Sequence, residues 1–184
     1  MRVGIGACVF SFALAFASLA AAGQEDARLD TLFGRLKDTP SIVEAYRIEQ
    51  DIWGIWLESG DDDVDAEMKL GMRAMGAGDY PTALRAFDSI VESRPKLAEG
   101  WNKRATLYYL MGEYDASVRD IQRTIALEPR HFGAWSGLGL IYDAIGNENG
   151  AVDALEEVRK IYPLMPGLDE RIRELRDAEK GKQI

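Results

Sequence analysis

The sequence predicts an all-α fold, an α-solenoid of helix-turn-helix units, and three observations predict it. Gly78, Gly112 and Gly146 follow one another at 34-residue intervals, and so do Pro95, Pro129 and Pro163. Trp101 returns as Trp135 and Tyr108 as Tyr142 at the same spacing. Within each interval an amphipathic run ends at the glycine, a second run of similar length follows, and the proline closes it. A period of this length marks stacked units, each burying its apolar face against its neighbours. Glycine supplies the left-handed residue that ends one helix, and proline cannot continue the next, so each unit is two antiparallel helices.

The chain opens on Arg2 and an uncharged apolar run from Val3 to Ala22, with small residues fitting an Ala-x-Ala site at Ala20 and Ala22. Residues 1–22 are read as a signal peptide, cleaved near Ala22 or Gly23. The run is also long enough to span a bilayer, so a retained anchor is the rival reading. Its alanine and glycine content and the cleavage site favour removal. The single cysteine, Cys8, lies inside this run. An exported chain cleaved here holds no disulfide and depends on its apolar core. Lipidation of Cys8 is disfavoured, because the apolar stretch mostly follows it instead of preceding it.

Residues 23–63 are expected to form a helical hairpin and an acidic linker. Leu29, Leu32, Phe33 and Leu36 make a short amphipathic helix, broken at Thr39-Pro40-Ser41. Ile42, Ala45, Ile48, Ile52, Ile55 and Trp56 make a longer one. Its turn is misplaced relative to the 34-residue pattern, so it is read as an atypical end unit capping the stack and not as a fourth copy. The run Asp61, Asp62, Asp63 and Asp65 superficially resembles the start of a calcium loop. However, Ala66 stands where such a loop needs glycine and Met72 where it needs glutamate. It reads as an acidic turn favouring the positive N-terminus of the next helix.

Three copies follow at 64–97, 98–131 and 132–165, and their residues resemble the tetratricopeptide repeat family. The last copy matches best, with Trp135, Leu138, Gly139, Tyr142, Gly146, Ala151, Leu155 and Pro163. The middle copy keeps Trp101, Ala105, Tyr108, Gly112, Tyr114 and Pro129 but has Arg104 where an apolar residue is expected. The first has Leu70, Gly71, Gly78, Tyr80, Ala83, Phe87 and Pro95, with Glu67 replacing the tryptophan. Residues 166–184 carry one apolar stripe, Leu168, Ile172 and Leu175, on an otherwise charged helix. This looks like the solvating, capping helix of the family.

The formal charge of −9 becomes −10 when Arg2 leaves with the signal peptide. An acidic chain argues against a nucleic-acid partner, which would need a basic stripe. No enzyme motif is present: there is one histidine, His131, no glycine-rich phosphate loop and no Gly-x-Ser-x-Gly. A lone histidine at a junction between units reads as a surface or capping residue. The chain is therefore read as a non-enzyme that needs no cofactor.

The resemblance locates the candidate partner-binding groove on the first helix of each copy. In the first copy Met68, Met72 and Met75 fall at i, i+4 and i+7 on one stripe. The family pattern carries this stripe to Asn102, Thr106 and Tyr109, then to Ser136, Leu140 and Asp143. Methionine is flexible and polarizable and suits an apolar partner segment. The stripe reads equally as packing under the N-terminal hairpin. As a third reading, its thioethers suit Cu(I). Arg104 needs a counter-charge, either internal, from Glu67 or Asp120, or from a partner's carboxylate. Lys103, Arg104 and Arg130 are accordingly the candidate carboxylate contacts. The family's carboxylate clamp is not expected, because it needs Lys and Asn where this chain has Met68 and Met72.

The expected function is thus a periplasmic or other extracytoplasmic scaffold that holds a protein or peptide segment, partly apolar, in a concave groove. A membrane contact is expected only if the N-terminal helix is retained, which would make the chain a tethered envelope assembly factor.

Overall fold

A computed structural model describes residues 22–182, so the expected signal peptide lies outside the described residues except for Ala22. A short 3-10 turn, Gly23–Glu25, leads into the hairpin of α1 (Arg28–Asp38) and α2 (Ile42–Trp56). Three helix pairs follow: α3 (Asp62–Gly76) with α4 (Tyr80–Ser93), α5 (Ala98–Leu110) with α6 (Tyr114–Leu127), and α7 (Phe132–Ala144) with α8 (Glu148–Ile161). The final helix, α9 (Leu168–Lys182), packs on α8. There is no strand among the described residues, and no described helix is long and apolar enough to cross a membrane.

Local chemistry sets the helix ends. Gly78, Gly112 and Gly146 have φ of +77°, +78° and +73° and turn the chain between the helices of each pair. Oxygen side chains cap several starts: Ser41 accepts from Glu44 N–H, Asp79 from Thr82 N–H, and Asn147 from Gly150 N–H. The acidic turn caps α3, where the Asp61 carboxylate accepts from the N–H groups of Asp63 and Val64 and also pairs with Arg94.

Within a pair the helices cross where the first supplies a small residue. A Cβ at Gly71 would lie 2.5 Å from the Phe87 ring, and one at Gly139 would lie 3.1 Å from Leu155. Between pairs, the repeated tryptophan ties each unit to the last. Trp101 Nε1–H donates to the Pro95 carbonyl (3.1 Å) and Trp135 Nε1–H to the Pro129 carbonyl (3.0 Å). The first pair has no preceding proline turn to tie down, and there the position is Glu67. At the C-terminal end, Leu168, Ile172 and Leu175 are buried, as expected of a cap. Burial of each is worth roughly 1.5 to 3 kcal/mol.

The hairpin does not sit where an end unit ahead of the first repeat would. Its buried Leu29, Phe33, Leu36, Ile48, Ile52 and Trp56 share one core with Phe132, Val158, Tyr162, Leu168 and Ile172. It therefore packs on the third repeat and the capping helix, and α1 lies against α8. The apolar stripe of α2 is broad enough to cover both α1 and a second partner, and the start of α7 with the end of α8 supplies that partner.

Candidate partner-binding groove

The first helices of the pairs, α3, α5 and α7, lie side by side and line one face of the stack. The three positions of the sequence stripe form three rows along this face, and they differ sharply in access.

The first row is the least exposed. Met68 is 2% exposed and packs with Val64, Phe87, Leu97 and Leu107, in the core between the first two repeats. It is covered by its own and the next repeat, because Leu107 and the turn at Leu97 close over it. Asn102 is 5% exposed, and its Nδ2 donates to Glu99 Oε2 at 3.0 Å. Ser136 is half-buried and donates to the Phe132 carbonyl. Met68 thus leaves the list of surface contacts, whereas Asn102, though 5% exposed, lines the depression between α5 and α7, and three thioethers do not meet on one open surface for Cu(I). No cluster of metal-ligating carboxylates, histidines or cysteines occurs among the described residues.

The second and third rows remain accessible. Met72 is half-buried, Thr106 exposed, and Leu140 is 52% exposed. Met75 and Tyr109 are half-buried, with the Tyr109 ring 5.7 Å from that of Tyr114. Asp143 pairs with Arg171 of α9. Between α5 and α7 a depression of about 170 Å³ opens, walled by Thr106, Tyr109, Ser136 and Leu140, with Gly133 and Gly137 on one side. Every lining side chain is uncharged. The hydroxyls of Thr106 and Ser136 donate to carbonyls of their own helices, which leaves their oxygens as acceptors.

One end of this face is covered by the chain itself. Trp53 of α2 lies against the backbone of α7, where a Cβ at Gly133 would sit 2.6 Å from the indole. Trp56 stacks on His131, with ring centroids 4.0 Å apart and planes 8° from parallel. Beneath them is a polar cluster of Glu99, Asn102, Lys103 and His131, in which Glu99, Asn102 and His131 are buried. The Ala134 N–H donates to His131 Nδ1 (3.1 Å), capping α7. The ring proton facing Glu99 is therefore on Nε2, which donates to Oε2 at 2.9 Å. The Lys103 ammonium lies 2.8 Å from the other carboxylate oxygen and 5.0 Å from the centre of the Trp53 ring. Burial pushes the Glu99 carboxyl up, but Lys103 and the His131 hydrogen bond outweigh it and hold it below the ordinary range. His131 is a capping residue, as expected, and it is buried instead of lying on the surface.

The three candidate cations are all engaged. Arg104 grips Asp120 bidentately, Nε to Oδ2 at 2.7 Å and Nη2 to Oδ1 at 2.9 Å, and reaches Asp88 with Nη1 at 2.8 Å. This is the internal bridge, with Asp120 as partner and Asp88 in the place proposed for Glu67. The guanidinium also lies over Trp101, 5.0 Å from the ring centre. Arg130 pairs with Glu128 (2.9 Å) and Asp30 of α1 (2.7 Å) and covers Phe33. Lys103 is held by Glu99.

Trp53, Glu99, Gly133 and Gly137 shape this face without having been singled out from the sequence. Glu99 stands three residues before Asn102, on the same face of α5, and that spacing was the available signal. Nothing in the pattern of α2 indicates that Trp53 reaches the groove.

Comparisons with known proteins agree with this architecture. The family model for the tetratricopeptide repeat matches residues 68–116 and 102–166. A TPR repeat-containing protein of Rhizobium etli is 35% identical over 156 residues, covering 85% of this chain and 76% of that protein. The small glutamine-rich tetratricopeptide repeat-containing protein 2 of Saccharomyces cerevisiae is 26% identical over 130 residues, and the match covers 67% of this chain and 38% of that protein. Among solved structures, the Sgt2 TPR domain from Aspergillus fumigatus superposes with a TM-score of 0.61 at 20% identity, covering 67% of this chain and 84% of that one. The first TPR of Spaghetti (RPAP3), bound to an HSP90 peptide, superposes with a TM-score of 0.60 at 18% identity, covering 64% and 93%.

Proposed function

The chain belongs to the tetratricopeptide repeat family, and we propose that it is a non-catalytic envelope scaffold that holds an uncharged, partly apolar segment of a partner protein between α5 and α7. The observation that carries this reading is the depression beside Leu140, whose lining is uncharged and whose volume of about 170 Å³ suits one large aliphatic side chain. Leu140, half exposed on the wall, gains by being covered. Thr106 and Ser136 offer acceptors for a partner's backbone N–H groups.

The related RPAP3 domain is bound to an HSP90 peptide. An acidic tail does not suit this chain. Lys103, Arg104 and Arg130 are each neutralised internally, so recruiting one to a partner's carboxylate would strand Glu99, Asp120 or Glu128, all buried. Export is part of the proposal and rests on the leader-like run of residues 1–22. The intact mass of the protein recovered from the envelope tests it. A mass that still includes Met1 to Ala22 overturns the cleaved, soluble form.

The groove is tested by a photo-crosslinking residue placed at Leu140 and, as a control, at Arg119 on α6. A partner adduct is expected from position 140 alone, and Gly137→Leu, which fills the depression, should abolish it. Equal adducts at both positions, or an adduct indifferent to Gly137→Leu, would place the binding surface elsewhere.

A further inference from the structure

The outer face of α2, turned away from the groove, is unpartnered among the described residues. Ile42, Val43 and Tyr46 at its start are 62%, 62% and 56% exposed, three large apolar side chains within five residues. Toward its other end, Gly54 opens a hollow of about 570 Å³ against α1, lined by Leu32 and Ile55, by Thr31 and Gln50, and by the charged Arg28, Asp51 and Glu58. Gly54 sits inside a helix, where glycine is unfavourable, and nothing lies within 4 Å of where its Cβ would be. No packing among the described residues accounts for it.

We propose that this face is a self-complementary interface at which two copies of the chain pair antiparallel along α2, Val43 and Ile42 of each copy filling the Gly54 hollow of the other. Val43, Arg47, Gln50 and Gly54 fall at i, i+4, i+7 and i+11, so the protruding and the hollow ends share one stripe of the helix. A two-fold axis crossing α2 at Glu49 brings Val43 opposite Ile55 of the second copy, beside Gly54 in the lining of the hollow, and repeats that contact on the other side, as an isologous interface requires. The same operation sets Arg47 opposite Asp51. Both are exposed, and neither makes an ion pair within 4 Å among the described residues. Apolar end, hollow and opposite charges thus match in the one register. The closed cyclic pairing leaves both grooves open, because the groove lies on the α5–α7 side and this face on the other side of the hairpin.

Sedimentation of the purified protein over a range of concentrations tests the proposal. A reversible dimer is expected. Gly54→Leu, which fills open space and improves the helix, should raise the dissociation constant at least about tenfold, as should Val43→Lys, each acting twice per dimer. Arg47→Asp and Asp51→Arg should each weaken the dimer when alone, and their equimolar mixture should form a heterodimer in which both charge pairs are restored. All four sites are exposed, so thermal melts of the variants should match or exceed the parent. A protein monomeric at every concentration overturns the proposal and leaves the face to residues 1–21 or a different protein. A dimer indifferent to Gly54→Leu, or single charge variants that fail to pair on mixing, overturn it as well.

Discussion

His131 and Trp56 stack ring on ring, 4.0 Å apart and within 8° of parallel, although one caps the start of α7 and the other ends the second helix of the hairpin. The stack seals the Glu99–His131 hydrogen bond from water and joins three parts of the molecule: α2, α5 and α7. A buried hydrogen bond to a carboxylate, closed by an aromatic lid, is strong only while every member is present.

The first prediction concerns Glu99. Its folded-state carboxyl titrates below the ordinary value of 4.5, because Lys103 and His131 outweigh the penalty of burial. A depressed carboxyl stabilises the fold above its unfolded pKa, and that contribution is lost as pH falls through the folded value. Glu99→Gln should therefore cost about 1.5 to 3 kcal/mol at pH 7, the worth of hydrogen bonds to a charged group. The gap between variant and parent in denaturant melts should shrink below about pH 4. A gap of constant size from pH 7 to pH 3 would show that the carboxylate charge contributes nothing.

Arg104→Met should be tolerated better than Asp120→Ala. Methionine removes the charge and keeps most of the volume over Trp101 and Tyr108, whereas alanine at 120 strands the guanidinium beside a 7% exposed site. Asp88, 41% exposed, compensates only in part. The expected difference is about 2 to 3 kcal/mol, read from paired chemical melts. Equal losses would mean that the arginine contributes through packing alone.

The methionine stripe should split by row. Met68→Gln places an amide among Val64, Phe87, Leu97 and Leu107, where it finds no water, at about 1 to 3 kcal/mol. Met72→Gln with Met75→Gln should leave the melting temperature nearly unchanged, because both side chains already reach the surface and glutamine is a comparable helix former. If the double variant melts as early as Met68→Gln, the second and third rows are covered in solution.

Two glycines one turn apart on α7 should respond in opposite directions. Gly133→Ala drives a methyl to 2.6 Å from the Trp53 ring, so either the indole or α2 must move, at a cost of about 1 to 3 kcal/mol. Gly137→Ala meets its nearest neighbour, Ile121, at 3.5 Å, and should gain up to about 1 kcal/mol of helix propensity. Thermal melts decide both, and a stabilised Gly133→Ala would mean that Trp53 is not seated on α7.

The repeats were legible in the sequence because their contacts are local in it. Each glycine turn, each proline stop and each tryptophan-to-carbonyl tie joins residues within one period, so the 34-residue spacing records them directly. Arg104 and Asp120 lie 16 residues apart on the two helices of one pair; a charge at an otherwise apolar place announced the need for a counter-charge, and packing chose Asp120 and Asp88 over Glu67 or a partner's carboxylate. Where the hairpin sits was decided by tertiary structure alone. Arg130 meets Asp30 across 100 residues and Tyr162 meets Glu49 across 113, and no period relates such positions. An apolar stripe states that a helix will be covered, but not by what, since apolar burial is non-directional. For the same reason the spacing of Met68, Met72 and Met75 identified one face of a helix, and only the packing of α5 against α3 determined that Met68 would be buried while Met72 and Met75 stayed within reach of solvent.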